Sequence, residues 1–171
     1  WAEAAEAAAA LGDDEPHAVA ARRSELFARL VGGDLDGAAA VLARTQCLPL
    51  EDALLFKAWH GELAGTSDGA MLPGDAIPLL ATALEALLRV EEVDGFAALL
   101  PLLDRCPISE RERRELLAEM YLRRGFLASA AEEWLAVCER DASDVRALVG
   151  LAQVAAAQGM TDEALDFARE A

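Results

Sequence analysis

The C-terminal part of the chain repeats at a spacing of 34 residues, and this period restricts the fold more than any other feature of the sequence. The repeated positions are Tyr121, Gly125, Ala130 and Trp134 in one segment and Ala155, Gly159, Ala164 and Ala168 in the next. A period of this length is typical of stacked helix-turn-helix units. The sequence therefore predicts an all-α fold of antiparallel helix hairpins, and the helical spacing of the apolar residues predicts no sheet.

Short-range signals mark where the helices of these units begin and end. Gly125 and Gly159 stand where the first helix of each unit must stop, a position that often needs a left-handed backbone. Ser109 and Glu112 form a Ser-x-x-Glu capping box at the start of the earlier unit. Thr161 is expected to cap the last helix. Each of these signals agrees with two helix hairpins between residues 111 and 171.

The two units resemble the tetratricopeptide repeat family, whose pattern is W-x2-L-G-x2-Y, then A-x3-F and a closing proline. The matching positions are Arg114, Leu117, Ala118, Tyr121, Ala130, Trp134 and Ala142 in residues 111–144, and Leu148, Leu151, Ala152, Ala155, Ala164 and Ala168 in residues 145–171. The small and aromatic core positions are kept, but the first aromatic residue and the proline are not. The resemblance implies a right-handed superhelix of about nine or ten helices.

Two further segments are degenerate copies of the same unit. Residues 77–110 keep an apolar helix face, but Phe96 occupies a position that is usually small, so the two helices must splay or shift. Residues 19–52 form an N-terminal copy. The register breaks between them, over residues 53–76. A predicted helix over about 50–63 extends into this interval, and a loop follows at 65–75. Either a second helix has been lost there, or the helices pair in a different parity on the two sides.

We expect residues 1–171 to form a single α-helical repeat domain that is part of a longer protein. The net charge of -16 and the single lysine, Lys57, argue against nucleic acid and anionic membranes as partners, because both require clustered cations. No apolar run is long enough for a transmembrane helix. Cys47, Cys106 and Cys138 are widely spaced and odd in number, which favours reduced, mostly buried thiols in the cytoplasm.

One catalytic pattern occurs, but its context argues against catalysis. Residues 65–69, GTSDG, fit the G-x-S-x-G nucleophile elbow, which requires a strand before the serine and a later histidine. A helix precedes Ser67 here, and both histidines, His17 and His60, come earlier in the chain. Asp34 to Gly37 lacks the spacing of a calcium loop and is better interpreted as an interhelical turn with capping carboxylates. We therefore expect no enzyme active site, no metal site and no cofactor within these residues.

The resemblance also implies where a partner binds, since in this family the first helix of each unit lines the concave side of the superhelix. Carried over by position, the groove consists of Glu85, Leu88, Arg89, Glu115, Glu119, Leu122, Arg123, Arg146, Val149 and Gln153. The family's best-known groove binds a terminal carboxylate through Lys and Asn, whereas Glu115 and Glu119 stand at those places. A basic or mixed-charge protein or peptide suits this groove better, although such glutamates serve equally often only to keep a helix soluble. Replacing both with lysine is expected to abolish groove binding without changing melting.

The loop at 65–75, with Ser67, Met71 and Leu72, is a second candidate site, because long irregular loops in compact repeats are often functional; Met71 and Leu72 are expected to be exposed. It is equally well interpreted as the remnant of a lost helix. The leading hypothesis is a non-catalytic scaffold for protein or peptide partners. The alternative is an accessory repeat domain of a larger bacterial enzyme, such as a glycosyltransferase, or of a regulator or secretion component. Self-association through the last helix, around Leu165 and Phe167, is a further possibility.

Overall fold

The computed structural model describes residues 1–13 and 16–171, and all of the regular structure in these residues is helical. Ten α-helices lie within the described residues, which confirms the predicted all-α class and the predicted number of helices. In chain order they are α1 (Ala2–Ala9), α2 (Ala18–Val31), α3 (Leu35–Arg44), α4 (Leu50–Ala64), α5 (Ile77–Arg89), α6 (Val93–Leu99), α7 (Glu110–Arg124), α8 (Leu127–Cys138), α9 (Val145–Ala157) and α10 (Thr161–Glu170). Two 3-10 segments, Gly74–Ala76 and Leu100–Arg105, precede α5 and follow α6.

The chain divides into two compact units, Trp1–Pro107 and Ile108–Ala171. In the N-terminal unit, α2 packs against α1, α3 and α4, while α5 packs against α6. Its core is rich in leucine, with Phe56, Trp59 and Phe96 as the large aromatic members. A buried carboxylate, Glu25, joins α2 to α3: it accepts hydrogen bonds from Arg29 at 2.9 Å and Arg44 at 3.2 Å, and it also pairs with the buried Arg22. The Arg44 contact of this network connects α3 to α2.

The C-terminal unit consists of two hairpins, α7 with α8 and α9 with α10, and α8 packs against α9. Its core contains Ala118, Ala130, Trp134, Val137, Ala147, Leu151 and Val154. Ala118 and Ala130 are both fully buried, as the close approach of α7 and α8 requires. Trp134 fills the space between the hairpins, and Tyr121 packs against the same cluster. Each hairpin of this unit thus consists of two helices that are consecutive in the chain.

The helix ends follow the local sequence with one exception. Gly125 and Gly159 adopt φ values of 80° and 79°, which residues with a Cβ rarely adopt. Both hydrogen bonds of the Ser109–Glu112 capping box are made. The prediction for Thr161 is wrong: it is the first residue of α10, the preceding N-cap residue is Met160, and no side chain caps this helix. The acidic first turn of α10 still favours the helix N-terminus electrostatically.

The register break holds one helix and an irregular segment. Helix α4 extends one residue beyond the predicted end and stops at Gly65, whose φ is 65°. Between α4 and α5 the regular structure consists of the 3-10 turn at Gly74–Ala76. Helix α6 is only 7 residues long and continues as a 3-10 segment, and the buried Phe96 lies within it. The degenerate copy at 77–110 thus departs from regular hairpin geometry in its second helix.

Candidate functional site

A cleft of about 600 Å³ opens in the N-terminal unit between α1, α2, α4 and α5. This volume lies within the range of small-ligand and peptide side-chain pockets. Its apolar wall consists of Trp1, Ala4, Ala20, Phe27, Ala28, Phe56, Pro78, Leu79, Ala83 and Ala86. The residues from α5 recur at i, i+1, i+4, i+5 and i+8, so a single face of that helix borders the cleft.

Aromatic rings that contact one another form one side of this cleft. The Phe27 ring lies 5.8 Å from that of Trp1 and 5.7 Å from that of Trp59, edge to face in both cases. Phe56 stacks on Trp59 with their centroids 6.4 Å apart. Such pairs contribute about 0.5–1.5 kcal/mol each beyond the area that they bury. Trp59 is buried and its ring contacts both Phe27 and Phe56, and these two residues also line the cleft.

The polar residues at the cleft carry an excess of negative charge. Glu51, Asp52 and Asp75 contribute carboxylates, whereas Arg23 contributes the single guanidinium of the lining. Asp52 is buried, and its Oδ2 accepts a hydrogen bond from Arg23 Nε at 2.6 Å, so this pair is compensated. Glu51 and Asp75 supply the remaining charge. A cation on an incoming ligand would be favoured here over an anion.

The residues of α5 predicted to line a partner groove do not border this cleft. Leu88 is only 9% exposed and belongs to the core, so its predicted place in a partner groove is wrong. Glu85 is half-buried and Arg89 is exposed at the end of α5. The face that borders the cleft instead carries Leu79 and Ala83. The sequence pattern alone could not select between these faces, since α5 is apolar around most of its circumference.

In the C-terminal unit, Glu115 is more buried and more fully paired than its predicted place in a groove requires. It is 8% exposed, and its carboxylate accepts from Arg111 Nη1 at 2.9 Å and pairs with Arg146 Nη2 at 2.5 Å. Its charge is therefore compensated inside the unit. Burial and pairing with two arginines argue against the expectation that lysine at this position leaves melting unchanged.

The other predicted groove residues of this unit share a partly accessible face. Glu119 lies 3.6 Å from Arg146 and 3.7 Å from Arg123 between charged atoms. Leu122 packs against the core and is only partly exposed. Val149 and Gln153, on α9, are exposed, and a pocket of about 250 Å³ lies beside them. The accessible part of this face thus carries both signs of charge.

Asp144 connects the two hairpins of this unit. Its carboxylate accepts from Arg111 Nε at 2.7 Å and Nη2 at 3.1 Å, and it caps α9 by accepting from the Ala147 amide at 3.0 Å. The Arg111 hydrogen bonds, together with the capping bond, lower the pKa of Asp144 below its usual range. The same pairing raises the pKa of Arg111. These contacts position Arg111 next to Glu115.

The loop that follows α4 is held by Arg105. Its Nε donates to the Ala70 carbonyl at 2.7 Å, and its Nη1 donates to Glu62 at 2.9 Å and to Ser67 Oγ at 3.1 Å. Ser67 donates in turn to Glu62 at 2.5 Å. The predicted exposure of this loop is correct for Met71, which is 65% exposed, but wrong for Leu72, which is 5% exposed. Leu72 is buried because its amide donates to the Arg105 carbonyl at 2.7 Å, which draws the chain inward.

The remaining candidates for chemistry are separate from one another. His60 Nε2 lies 3.2 Å from the Leu35 carbonyl oxygen. Cys47, Cys106 and Cys138 are free thiols, and burial raises the pKa of each. Across residues 1–13 and 16–171, His, Cys, Asp and Glu side chains form no group of three or more that could hold a metal ion.

No protein-family model, no curated protein and no solved structure matches this chain. A search of the described helices for one long and apolar enough to cross a membrane finds none. The geometry of the cleft and of the C-terminal unit is therefore the basis for any functional argument.

Proposed function

We propose that this chain is a non-catalytic, tetratricopeptide-like module that binds a protein or peptide partner, and that the cleft of the N-terminal unit is its principal binding site. The observation that carries the proposal is a cleft of about 600 Å³ with an aromatic and alanine-rich wall and acidic residues at its border. Sites that bind peptides through side-chain anchors combine an apolar surface with a few polar groups in this way.

The identity of the cleft helices supports the repeat interpretation. Helices α2 and α5 are the first helices of the two degenerate copies at 19–52 and 77–110, and both border the cleft. In the family that the sequence resembles, first helices line the partner-binding side. The superhelical arrangement itself remains part of this proposal.

The chemistry of the cleft indicates a partner that is apolar on one face and basic beside it. Leucine- or phenylalanine-sized side chains would pack against Phe27, Phe56 and Leu79, and a lysine or arginine would lie near Glu51 and Asp75. Full burial of one such apolar side chain contributes about 1.5–3 kcal/mol. Three such anchors would contribute about 9 kcal/mol at most, so after an association cost of at least about 4 kcal/mol they alone would support binding in about the high-micromolar to millimolar range.

Two synthetic peptides test this proposal on the full chain. Both are amphipathic helices with the same leucine face; one carries lysine and the other carries glutamate on its polar face. The lysine peptide is expected to bind, as measured by titration calorimetry, and the glutamate peptide is expected not to bind. Thr82→Trp, which places a bulky ring in the cleft from an exposed position, should abolish the binding.

Matched variants distinguish cleft binding from attraction to an acidic protein. Asp75→Lys should weaken the lysine peptide several-fold, whereas Asp36→Lys, which makes the same charge change in the first turn of α3, should not. Ala97→Trp on the exposed side of α6 is the control for the bulky substitution. If the lysine peptide binds Thr82→Trp and Asp75→Lys as well as it binds the original chain, the cleft is not the site.

A further inference from the structure

An open apolar groove of about 420 Å³ lies between α9 and α10 in the C-terminal unit. Its lining consists of Val149, Ala152, Gln153, Ala156, Thr161, Ala164, Leu165 and Ala168. None of these side chains is charged. Val149 is 42% exposed and Leu165 is 48% exposed, and none of the α10 residues is buried. This side of the unit therefore presents an uncovered apolar surface on a strongly acidic protein.

An equivalent groove, 34 residues earlier in the chain, is occupied by a helix. Its residues, on α7 and α8, are Glu115, Ala118, Glu119, Leu122, Leu127, Ala130, Ala131 and Trp134. Helix α9 packs against both α7 and α8, and it joins the core there through Ala147, Leu151 and Val154. Within this unit, the occupant of the first groove is thus an amphipathic helix with apolar residues at i, i+4 and i+7.

The two grooves differ in how much of their space the lining itself fills. In the first groove the ring of Trp134 lies so close to α9 that a Cβ at Gly150 would overlap it. In the second groove Ala168 stands at the position of Trp134, and Ala156 stands at that of Leu122. A helix in the second groove therefore has room for a large side chain where α9 has glycine. Space left empty there would forfeit dispersion contacts, so a large apolar residue is favoured at that point.

The border of the second groove is acidic along α10. Helix α10 exposes four carboxylates, those of Asp162, Glu163, Asp166 and Glu170, but only one guanidinium, that of Arg169. Arg169 already lies 3.2 Å from Asp166. Basic side chains on an incoming helix are therefore favoured beside α10. A second copy of this chain is disfavoured, because it carries the same acidic helix and a net charge of -16.

We infer that the groove between α9 and α10 is a docking site for an amphipathic helix of another protein, one that places a large apolar residue against Ala168 and basic residues beside α10. This helix has the apolar spacing of α9. It differs from α9 in two respects, since a side chain of leucine size replaces the glycine and lysine or arginine borders the apolar face. Docking covers Val149 and Leu165, which are exposed without it.

The inference goes beyond the proposal for the N-terminal cleft and rests on the C-terminal unit alone. Backbone amide signals in NMR spectra of the full chain distinguish the two sites. Those of Ala164 and Leu165 are the groove signals, and those of Thr82 and Ala83 are the cleft signals. A ligand that moves only the cleft signals supports the cleft and contradicts the groove, and the converse also holds.

Peptides copied from α9 are the probes, titrated into the ¹⁵N-labelled full chain. Two of them carry lysine in place of Val149, Gln153 and Ala156, which α9 exposes, and they differ at the position of Gly150. One keeps glycine there and the other carries leucine. Both are expected to move the groove signals in a saturable way, the leucine peptide with the lower dissociation constant. A third peptide, with leucine at this position and glutamate in place of the lysines, should bind at least about tenfold more weakly than its lysine counterpart.

Ala168→Trp should shift the preference toward the glycine peptide, because it restores the ring that Gly150 faces in the first groove. The ratio of the two dissociation constants is compared between the original chain and the variant, so the difference in helix propensity between leucine and glycine cancels. This ratio should change by at least about tenfold, the effect of burying or excluding one leucine side chain. Ala168 is exposed, so the new ring does not enter the core. Ala128→Trp, at an exposed position of α8, is the matched control and should leave the ratio unchanged.

Each measurement has an outcome that contradicts the inference. A ratio that Ala168→Trp leaves unchanged would overturn the assignment of the large residue, and a glutamate peptide that binds as tightly as its lysine counterpart would overturn the basic partner. Groove signals that do not move up to the solubility of the peptides overturn the site. Groove signals that move with the concentration of the chain alone would identify a second copy as the occupant and overturn the inference of a separate partner.

Discussion

Replacement of Gly150 by alanine tests how tightly the two C-terminal hairpins are packed. The new Cβ would lie 2.3 Å from Trp134 Cε2 and 2.4 Å from Nε1. Carbon atoms pack at about 3.5–4.0 Å, so the indole or α9 must move by more than about 1 Å. The indole is rigid and belongs to the core cluster that contains Ala118, Ala130 and Leu151, so any shift of the ring disturbs those contacts.

The expected free energy is the difference between two opposing contributions. Overpacking a well-filled core costs about 1–3 kcal/mol, and a rigid ring at this distance belongs to the upper part of that range. Alanine gains about 1 kcal/mol over glycine in a helix interior. Gly150→Ala should therefore destabilise the C-terminal unit by about 1–2 kcal/mol.

Gly61→Ala is the matched control. Gly61 lies within α4, and a Cβ added there would lie 3.4 Å from the Ser67 Cα, an ordinary contact. The helix propensity of alanine should then dominate and stabilise the N-terminal unit by up to about 1 kcal/mol. Urea unfolding monitored by the indole NMR signals follows the two units separately, because Trp134 is the tryptophan of the C-terminal unit. A Gly150→Ala variant as stable as the original chain would refute the packing argument.

Three further perturbations follow from contacts in the structure. Glu115→Lys should destabilise the C-terminal unit by about 2 kcal/mol or more in urea unfolding, because it places a cation at a buried position whose carboxylate pairs with Arg111 and Arg146, whereas Glu119→Lys at a more exposed place should cost under about 1 kcal/mol; equal effects would contradict the assigned burial. Arg105→Ala should release the loop after α4, so that the Ala70 amide exchanges its hydrogen faster while global unfolding changes little; unchanged exchange would show that the arginine does not hold the loop. Asp144 has a lowered pKa, so its stabilising effect is complete above the ordinary value of 3.8 and is lost as the pH falls through the folded pKa; Asp144→Asn, which can still cap α9, should be less stable at neutral pH and lose part of the acid dependence.

Much of the fold was predictable because its signals are local. A capping box, a left-handed glycine and an apolar repeat each involve residues a few positions apart, so Ser109, Gly125 and the helices beside them could be placed from sequence. Thr161 was misplaced by one position, since the geometry of a helix start depends on the backbone of the preceding turn. The split into two compact units and the irregular second helix around Phe96 depend on packing between distant segments.

The candidate sites were less predictable for the same reason. Its position in the repeat predicts Glu115 as a groove residue. In the structure Glu115 is buried and two arginines compensate its charge, and only folding brings Arg146 Nη2 within 2.5 Å of it. The N-terminal cleft joins residues from α1, α2, α4 and α5 that no sequence spacing relates. Phe27 and Phe56 carried a partial signal, because aromatic residues are scarce in this chain and these two lie on neighbouring helices.

Local sequence patterns are sufficient to predict an all-helical chain and about ten helices, since helix formation and turn chemistry depend on residues close together in the chain. Tertiary structure alone decided which helix faces are buried, which charges are compensated and where open space remains. Those properties depend on distances between residues on different helices, as between Trp134 and Gly150, where the absence of a Cβ lets α9 lie directly against the indole.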